Sequence, residues 1–301
     1  MPTFTAGTPP PAEIAVEVAL VRRLLEEQHP NLKSLPLSRA AEGWDNVTFR
    51  LGNELAVRVP RRSGAARLVV NEQRWLPRIA GALSLPIPTP THVGVPSPLF
   101  PWHWSVLPWI AGTSGLDTPL EAGEAPRLGR FLRELHAIDP MNGAPQNPHR
   151  GVPLGSRQAV TGARLERLLE TVGHGSDLDG LAELLAVGSA IPIDVPRVWL
   201  HGDLHAKNVV SADGRLTGVI DWGDICTGDP ATDLASVWNL FEPPAHARFW
   251  EAYGEVSEAT RKRAAVWAAT FGLMLWDSHH RADPAFAELG VRSLERVAAT
   301  G

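Results

Sequence analysis

The chain has 301 residues, 44% of them hydrophobic, and 28 Lys and Arg against 33 Asp and Glu leave a formal net charge of -5. That length suits roughly two domains or one large bilobal unit with a real core, and the acidic balance argues against nonspecific nucleic-acid binding while remaining compatible with a cationic substrate. The single cysteine, Cys226, excludes an internal disulfide, reads as a small buried hydrophobe and points to a reducing, cytoplasmic setting.

Residues 1 to 11 are rich in Pro and Thr and lack the basic and apolar regions of a secretory leader, so a tail is expected there, with neither secretion nor a membrane anchor. From Ala12 to Gln28, the positions Ile14, Val18, Val21, Leu24 and Leu25 recur at helical spacing and predict an amphipathic helix. Leu37 to Ala41, Val47 to Leu51 and Leu55 to Val59 read as three antiparallel strands, separated by Gly43-Trp44-Asp45-Asn46 and by Gly52-Asn53. Asn71 to Leu83 is helical by pattern, with Glu72 near its start. Prolines 86, 88, 90, 96 and 98 then forbid a regular helix and suit a connecting segment beside an edge strand. Trp104 to Ile110 reads as a strand. Ala125 to Ile138 follows as a helix with Leu128, Phe131, Leu132 and Leu135 on one face. Two more helices are expected over Arg157 to Val172 and Leu178 to Val187, with a Gly-rich turn between them. No apolar run is long enough to span a bilayer.

Residues 200 to 224, LHGDLHAKNVVSADGRLTGVIDWGD, carry most of the functional information. Val198 to Leu200 lead into a loop, Val209 and Val210 leave it, and Ser211, Asp213 and Gly214 make a hairpin turn before Leu216 to Ile220. The hairpin brings Asp221 back beside Asn208. Hard cations prefer oxygen ligands, and Asn208 and Asp221 supply an amide carbonyl and a carboxylate suited to magnesium on a nucleotide's phosphates. A hydroxyl acceptor needs a carboxylate within hydrogen-bond reach, and Asp203 on its short loop can take that proton. Gly202 leaves the backbone free to turn there.

These residues resemble the aminoglycoside phosphotransferase family, small-molecule kinases that share the protein-kinase-like fold. The resemblance rests on His201, Gly202, Asp203 and Asn208, on Ile220-Asp221-Trp222-Gly223, and on the run Gly228, Asp229, Pro230, Asp233 and Leu234. It implies an α+β, bilobal protein-kinase-like fold with a small antiparallel-sheet N-lobe over about 1-110 and a mostly helical C-lobe over 111-301. Asp203 is then the catalytic base, and Asn208 and Asp221 are the magnesium ligands. The absence of a long activation segment after Asp221 argues against a protein substrate. The resemblance also assigns nucleotide contacts. Gly43 to Asn46 lies where a phosphate-covering loop belongs, Arg58 stands where such proteins carry a phosphate-binding lysine or arginine, and Glu72 is its expected ion-pair partner. An adenine in the hinge would use the Pro108 carbonyl and the Ile110 N–H. His136 is read as structural, Asp229 as the cap of a helix from Pro230, and Asp233 as a brace for the catalytic loop.

The acceptor is less legible. Cationic aminoglycosides need carboxylates, and Asp224, Glu242, Glu251 and Asp277 are candidates; Trp238, Trp250, Trp267 and Trp276 either line a more apolar pocket or form core. The string RVPRR resembles macrolide kinases, although those often carry a histidine where Asn208 stands. The expected activity is transfer of the γ-phosphoryl group of ATP or GTP to a hydroxyl, with an aminoglycoside-type antibiotic ahead of a macrolide and of a primary metabolite such as an amino alcohol or sugar. A catalytically silent nucleotide-binding module is the reading of another class, and the intact Asp203, Asn208 and Asp221 set speaks against it. No nucleic-acid or membrane partner is expected, and the oligomeric state and the choice between resistance and metabolism stay open.

Overall fold

The first helix, α1, covers Val18–Gln28 in the computed structural model, which describes residues 11–172 and 179–300. It starts later than the expected Ala12. Ile14 and Val16 do reach the small core, but along an irregular lead-in fastened by the N–H groups of Glu13 and Ile14, which donate to the Arg61 carbonyl at 2.9 and 3.3 Å. The alternation of apolar residues then gives β1 (Leu37–Glu42), β2 (Asn46–Leu51) and β3 (Leu55–Pro60). Helix α2 runs over Ser63–Ile79, beginning well before the expected Asn71. Its buried stripe of Ala65, Val69, Glu72, Leu76 and Ile79 reaches back to a small alanine that gives little periodic signal, and Glu13 accepts from the Ser63 N–H at 3.1 Å at the helix start. Glu72 therefore sits in mid-helix.

The proline-rich stretch holds the edge strand β4 (His92–Gly94), and β5 (Trp104–Pro108) stops at Pro108 rather than Ile110. The five strands form one antiparallel sheet in the order β1-β2-β3-β5-β4. Beyond the hinge come β6 (Thr113–Ser114), α3 (Ala125–His136), α4 (Gln158–Val172) and α5 (Asp179–Ser189). Arg157 closes a 3-10 turn before α4, and the expected Gly-rich turn and Leu178 lie outside the described residues. The remaining elements are β7 (Val198–Leu200), β8 (Val209–Ala212), β9 (Arg215–Val219), β10 (Cys226–Gly228), α6 (Ala231–Leu234), α7 (Ser236–Leu240), α8 (Pro243–Tyr253), α9 (Glu258–His279) and α10 (Pro284–Ala298). Strands β6, β8 and β9 make one small sheet, and β7 pairs with β10.

Two apolar cores result. Val21, Leu24, Phe49, Val57 and Trp104 belong to the small one, while the helices fill the large one around Phe131, Trp199, Trp222 and Trp267. Trp75, Leu76 and Ile79 of α2 pack into the large core, with the Trp75 and Trp199 rings 5.2 Å apart. Helix α2 thus ties the sheet to the helical lobe. No helix among the described residues is long and apolar enough to cross a membrane.

Candidate active site

Strand β7 delivers the chain into the loop that bears Asp203, and that loop is held by its main chain. The buried Asp233 carboxylate of α6 accepts the N–H of His201 at 2.7 Å on Oδ2 and of Gly202 at 2.9 Å on Oδ1, as the brace reading expects. Gly202 has φ 88, and a Cβ there would lie 2.7 Å from the Asp224 carbonyl, so both torsion and space require glycine. His201 bonds the Ile220 carbonyl through Nε2 at 2.9 Å and rests against Trp222. His136 contacts Asp233 at 3.5 Å and the Tyr253 hydroxyl at 2.9 Å, a structural position. Asp229 accepts the Ala231 N–H at 3.2 Å, and its other oxygen receives the Nε–H of the buried Arg263 at 2.7 Å.

The Asp203 carboxylate has two distinct sides. Oδ2 lies 3.3 Å from both Asn208 Nδ2 and His205 Nε2, and Oδ1 accepts from Arg150 at 2.9 Å. Burial by itself would raise its pKa; His205 and Arg150 outweigh that and hold the carboxyl well below the usual range. Asn208 also donates to the Asp203 main-chain carbonyl at 2.8 Å, and its own carbonyl accepts the Ile220 N–H at 2.9 Å, which sets Asp221 next to it. Asp221 adopts φ 60 and ψ 68, a left-handed conformation that costs a non-glycine residue about 1 to 2 kcal/mol. Its carboxylate is half exposed, with Oδ1 paired to Arg58 and Oδ2 without a protein partner among the described residues.

Arg58 of β3 bridges the lobes, pairing with Glu72 at 2.5 Å and with Asp221. Burial opposes its charge, but Glu72 and Asp221 raise its pKa above the ordinary range. With its amide oxygen facing the guanidinium, Asn46 accepts from Arg58 Nε at 3.2 Å and Nη2 at 2.9 Å. The Gly43 N–H closes the β1–β2 turn on the Asn46 carbonyl at 2.9 Å, and Trp44 at the tip lies 6.0 Å from the His279 ring of α9. At the hinge the Trp109 N–H donates to the Glu54 carbonyl at 2.7 Å. Across the planar trans peptide the Pro108 carbonyl therefore points away from β3, and the strand ends before Ile110.

The acceptor candidates separate. Asp224 is in the site: Asn147 donates to it at 2.8 Å and Arg150 pairs with it at 3.2 Å, while burial and then the repulsion of Asp203 raise its pKa against the pull of Arg150. Asp277 is engaged by Arg167 at 2.8 Å and Arg164 at 3.3 Å. Glu242 precedes α8 and pairs with Arg296 of α10, with no contact to Asp203, and Glu251 is exposed on α8. Trp238, Trp250, Trp267 and Trp276 all belong to the large core, and Trp250 also lines an open surface hollow on α8 with Glu251 and Arg261, away from Asp203. Cys226 is buried too, which pushes its thiol pKa up.

Sequence reasoning missed Arg150 and His205. The signal for Arg150 was an arginine inside Asn147-Pro148-His149-Arg150-Gly151, a stretch with turn residues and no periodicity. Gly151 has φ 63, and a Cβ there would lie 2.7 Å from the Gly228 Cα, which seats the segment against β10. His205 stood within the motif itself, between Asp203 and Asn208.

Comparison with known proteins adds to this geometry. Residues 36–267 match the model of the Phosphotransferase enzyme family. An aminoglycoside 3'-phosphotransferase of Escherichia coli is 28% identical over 183 residues, 56% of this chain and 64% of that protein, so the match spans under two thirds of that relative. A homoserine kinase of Gluconacetobacter diazotrophicus is 28% identical over 262 residues, 82% of this chain and 75% of that protein. The solved GDP complex of an aminoglycoside 2'-phosphotransferase-IIIa covers 93% of this chain and 98% of its own with a TM-score of 0.70 at 19% identity, a likeness of fold. The α+β kinase-like architecture expected from the motifs is the one observed.

Proposed function

Because the chain belongs to the phosphotransferase enzyme family of small-molecule kinases, we propose that it transfers the γ-phosphoryl group of ATP or GTP to a hydroxyl of a small molecule, with Asp203 as the base. The observation that carries this reading is the Asp203 carboxylate itself, kept ionised and fixed by a loop whose N–H groups end on Asp233. The acceptor oxygen bonds to the γ-phosphorus as the bond to the bridging β-oxygen breaks; the hydroxyl proton passes to Asp203 and the nucleoside diphosphate leaves. Arg58, kept charged by Glu72 and Asp221, pairs the phosphates, the Gly43–Asn46 turn covers them, and Pro108 and Ile110 receive the base. Asn208 and Asp221 would hold magnesium, since both are hard oxygen donors and Asp221 keeps Oδ2 free of protein partners among the described residues. Such an ion, when bound, neutralises charge on the phosphate oxygens.

The match to an aminoglycoside 3'-phosphotransferase supports an aminoglycoside-type acceptor. A specific observation favours a second reading, a hydroxylated metabolite. Of the carboxylates that would receive ammonium groups, Asp224, Asp277 and Glu242 are each already paired with arginine, and Glu251 lies exposed on α8.

Mass spectrometry of acceptors incubated with the enzyme, magnesium and ATP or GTP tests the activity. A phosphoryl mass gain is expected on one acceptor class, and Asp203→Ala should lower its rate by at least about a hundredfold, the scale of general-base catalysis. Retained turnover in that variant would remove Asp203 from its role.

A further inference from the structure

Asp203 divides the site, with Asn208 and His205 on one carboxylate oxygen and Arg150 on the other. An acceptor approaching from the side away from the metal ligands therefore meets Arg150 first. Behind Arg150 the wall is positive. Arg157 closes the 3-10 turn before α4, and Thr161 and Arg164 follow at spacings of four and three, which puts the three on one face of that helical stretch. Helix α9 packs against it: the Arg150 guanidinium lies 5.1 Å from the Phe271 ring and 3.9 Å from the Met274 sulfur, and Asp277, one turn on, holds Arg164 and Arg167.

Asp203 and Asp224 pair with Arg150, and Asp277 with Arg164 and Arg167, which leaves Arg157 as the unmatched charge of the group among the described residues. Arg157 has no carboxylate partner among the described residues and donates to His149 Nδ1 at 3.0 Å. Burial lowers its pKa, and repulsion from Arg150 and Arg164 lowers it further. Arg164 is lowered as well, by burial above all, in spite of Asp277. Arg150 Nε, Arg157 Nε, Thr161 Oγ1 and Arg164 Nη1 are all buried without a hydrogen-bond partner among the described residues. Buried donors are ordinarily satisfied. Arg263 in the same lobe shows what a purely structural arginine looks like here: Nε and Nη2 reach Asp229, Nη1 reaches Asp194 and the Pro192 carbonyl, and Nη2 also reaches Thr260. On the Arg157–Thr161–Arg164 face satisfaction is partial: Asp277 holds Arg164 and His149 accepts from Arg157, yet Arg157 Nε, Thr161 Oγ1 and Arg164 Nη1 have no acceptor or donor among the described residues.

We propose that the phosphoryl acceptor carries an oxyanion, a carboxylate or a phosphate, which Arg157, Thr161 and Arg164 receive beside Arg150 while the acceptor's hydroxyl meets Asp203. The proposal rests on the phosphotransferase reading above and names its substrate class. It predicts a small hydroxy acid or a phosphorylated polyol over a polycation, because a polyamine would face guanidinium groups across the wall.

Calorimetric titration of the full chain, saturated with magnesium and ADP or GDP, tests it with glycerate, glycerol 3-phosphate, glycerol and an aminoglycoside as probes. At least one oxyanion should bind more tightly than glycerol, and the better of the two distinguishes carboxylate from phosphate. Arg157→Gln and Arg164→Gln should each raise its Kd about tenfold, the scale of one charge-assisted hydrogen bond. Arg157 has no ion pair among the described residues to lose, so its variant remains informative if Arg164→Gln fails to fold. Equal binding of oxyanions and glycerol, oxyanion binding unchanged in Arg157→Gln, or an aminoglycoside that binds more tightly than both oxyanions would overturn the proposal. Asp203-dependent phosphorylation of a cationic acceptor alone would leave the transfer reading intact and remove this one, so the two can fail separately.

Discussion

Glu72 shows how one buried side chain makes the small lobe sensitive to pH. Burial pushes its carboxyl up to about 7 from an ordinary 4.5, against the pull of Arg58. Between those values the folded protein holds a proton that the unfolded chain has released. The stability contributed by this proton is full below about pH 4.5 and is lost as pH rises through about 7. Glu72→Gln cannot titrate, so the Tm of the wild type relative to this variant should fall between about pH 5 and about pH 8. Parallel Tm profiles would contradict the shift. Asp203 behaves in the opposite sense, since His205 and Arg150 keep it ionised against burial.

At the scale of elements, the four-residue helix α6 acts as a post for the catalytic loop. Asp229 fastens its start through Arg263, and one turn later Asp233 presents both carboxylate oxygens to the loop between β7 and β8. Asp233→Ala would leave two buried N–H groups without acceptors, and each such group costs about 1 to 3 kcal/mol. Unfolding in denaturant should show a loss of at least about 2 kcal/mol, accompanied by a fall in kcat because Asp203 loses its fixed position. An unchanged midpoint would mean that the loop is held elsewhere. The β8–β9 hairpin has the complementary task of returning Asp221 to Asn208 through the Ile220 N–H, and its turn chemistry at Asp213-Gly214 was readable in the chain.

Across the whole molecule the lobes are joined by α2 through the large core and by Arg58 through charge. Arg58→Ala would remove the bridge and leave Glu72 buried without its partner. The nucleotide KM should then rise roughly ten- to a hundredfold, the scale of one to two charged hydrogen bonds at the lower end of their range, as read by steady-state kinetics. An unaltered KM would return Arg58 to a purely architectural place. The sequence by itself determined strands β1 to β3, β5 and β7 to β9 and the presence of helices α1 to α6, because periodicity and turn residues are local, while β6, β10 and α7 to α10 went unread. It also determined the spacing of Asp203, Asn208 and Asp221, because a short loop and one hairpin bring them together. Arg58 with Glu72 was legible only through the resemblance, and the start of α2 was missed because Ala65 carries little hydrophobic signal. What only tertiary structure decided is the far side of Asp203. Arg150 comes from a segment without periodicity, more than fifty residues before the aspartate it meets, and the pairing of Asp277 and Asp224 with arginines from α4 and the Asn147–Gly151 segment depends on how distant elements pack. A carboxylate in a sequence declares its charge, but whether that charge is free to bind a cation depends on neighbours that arrive through packing.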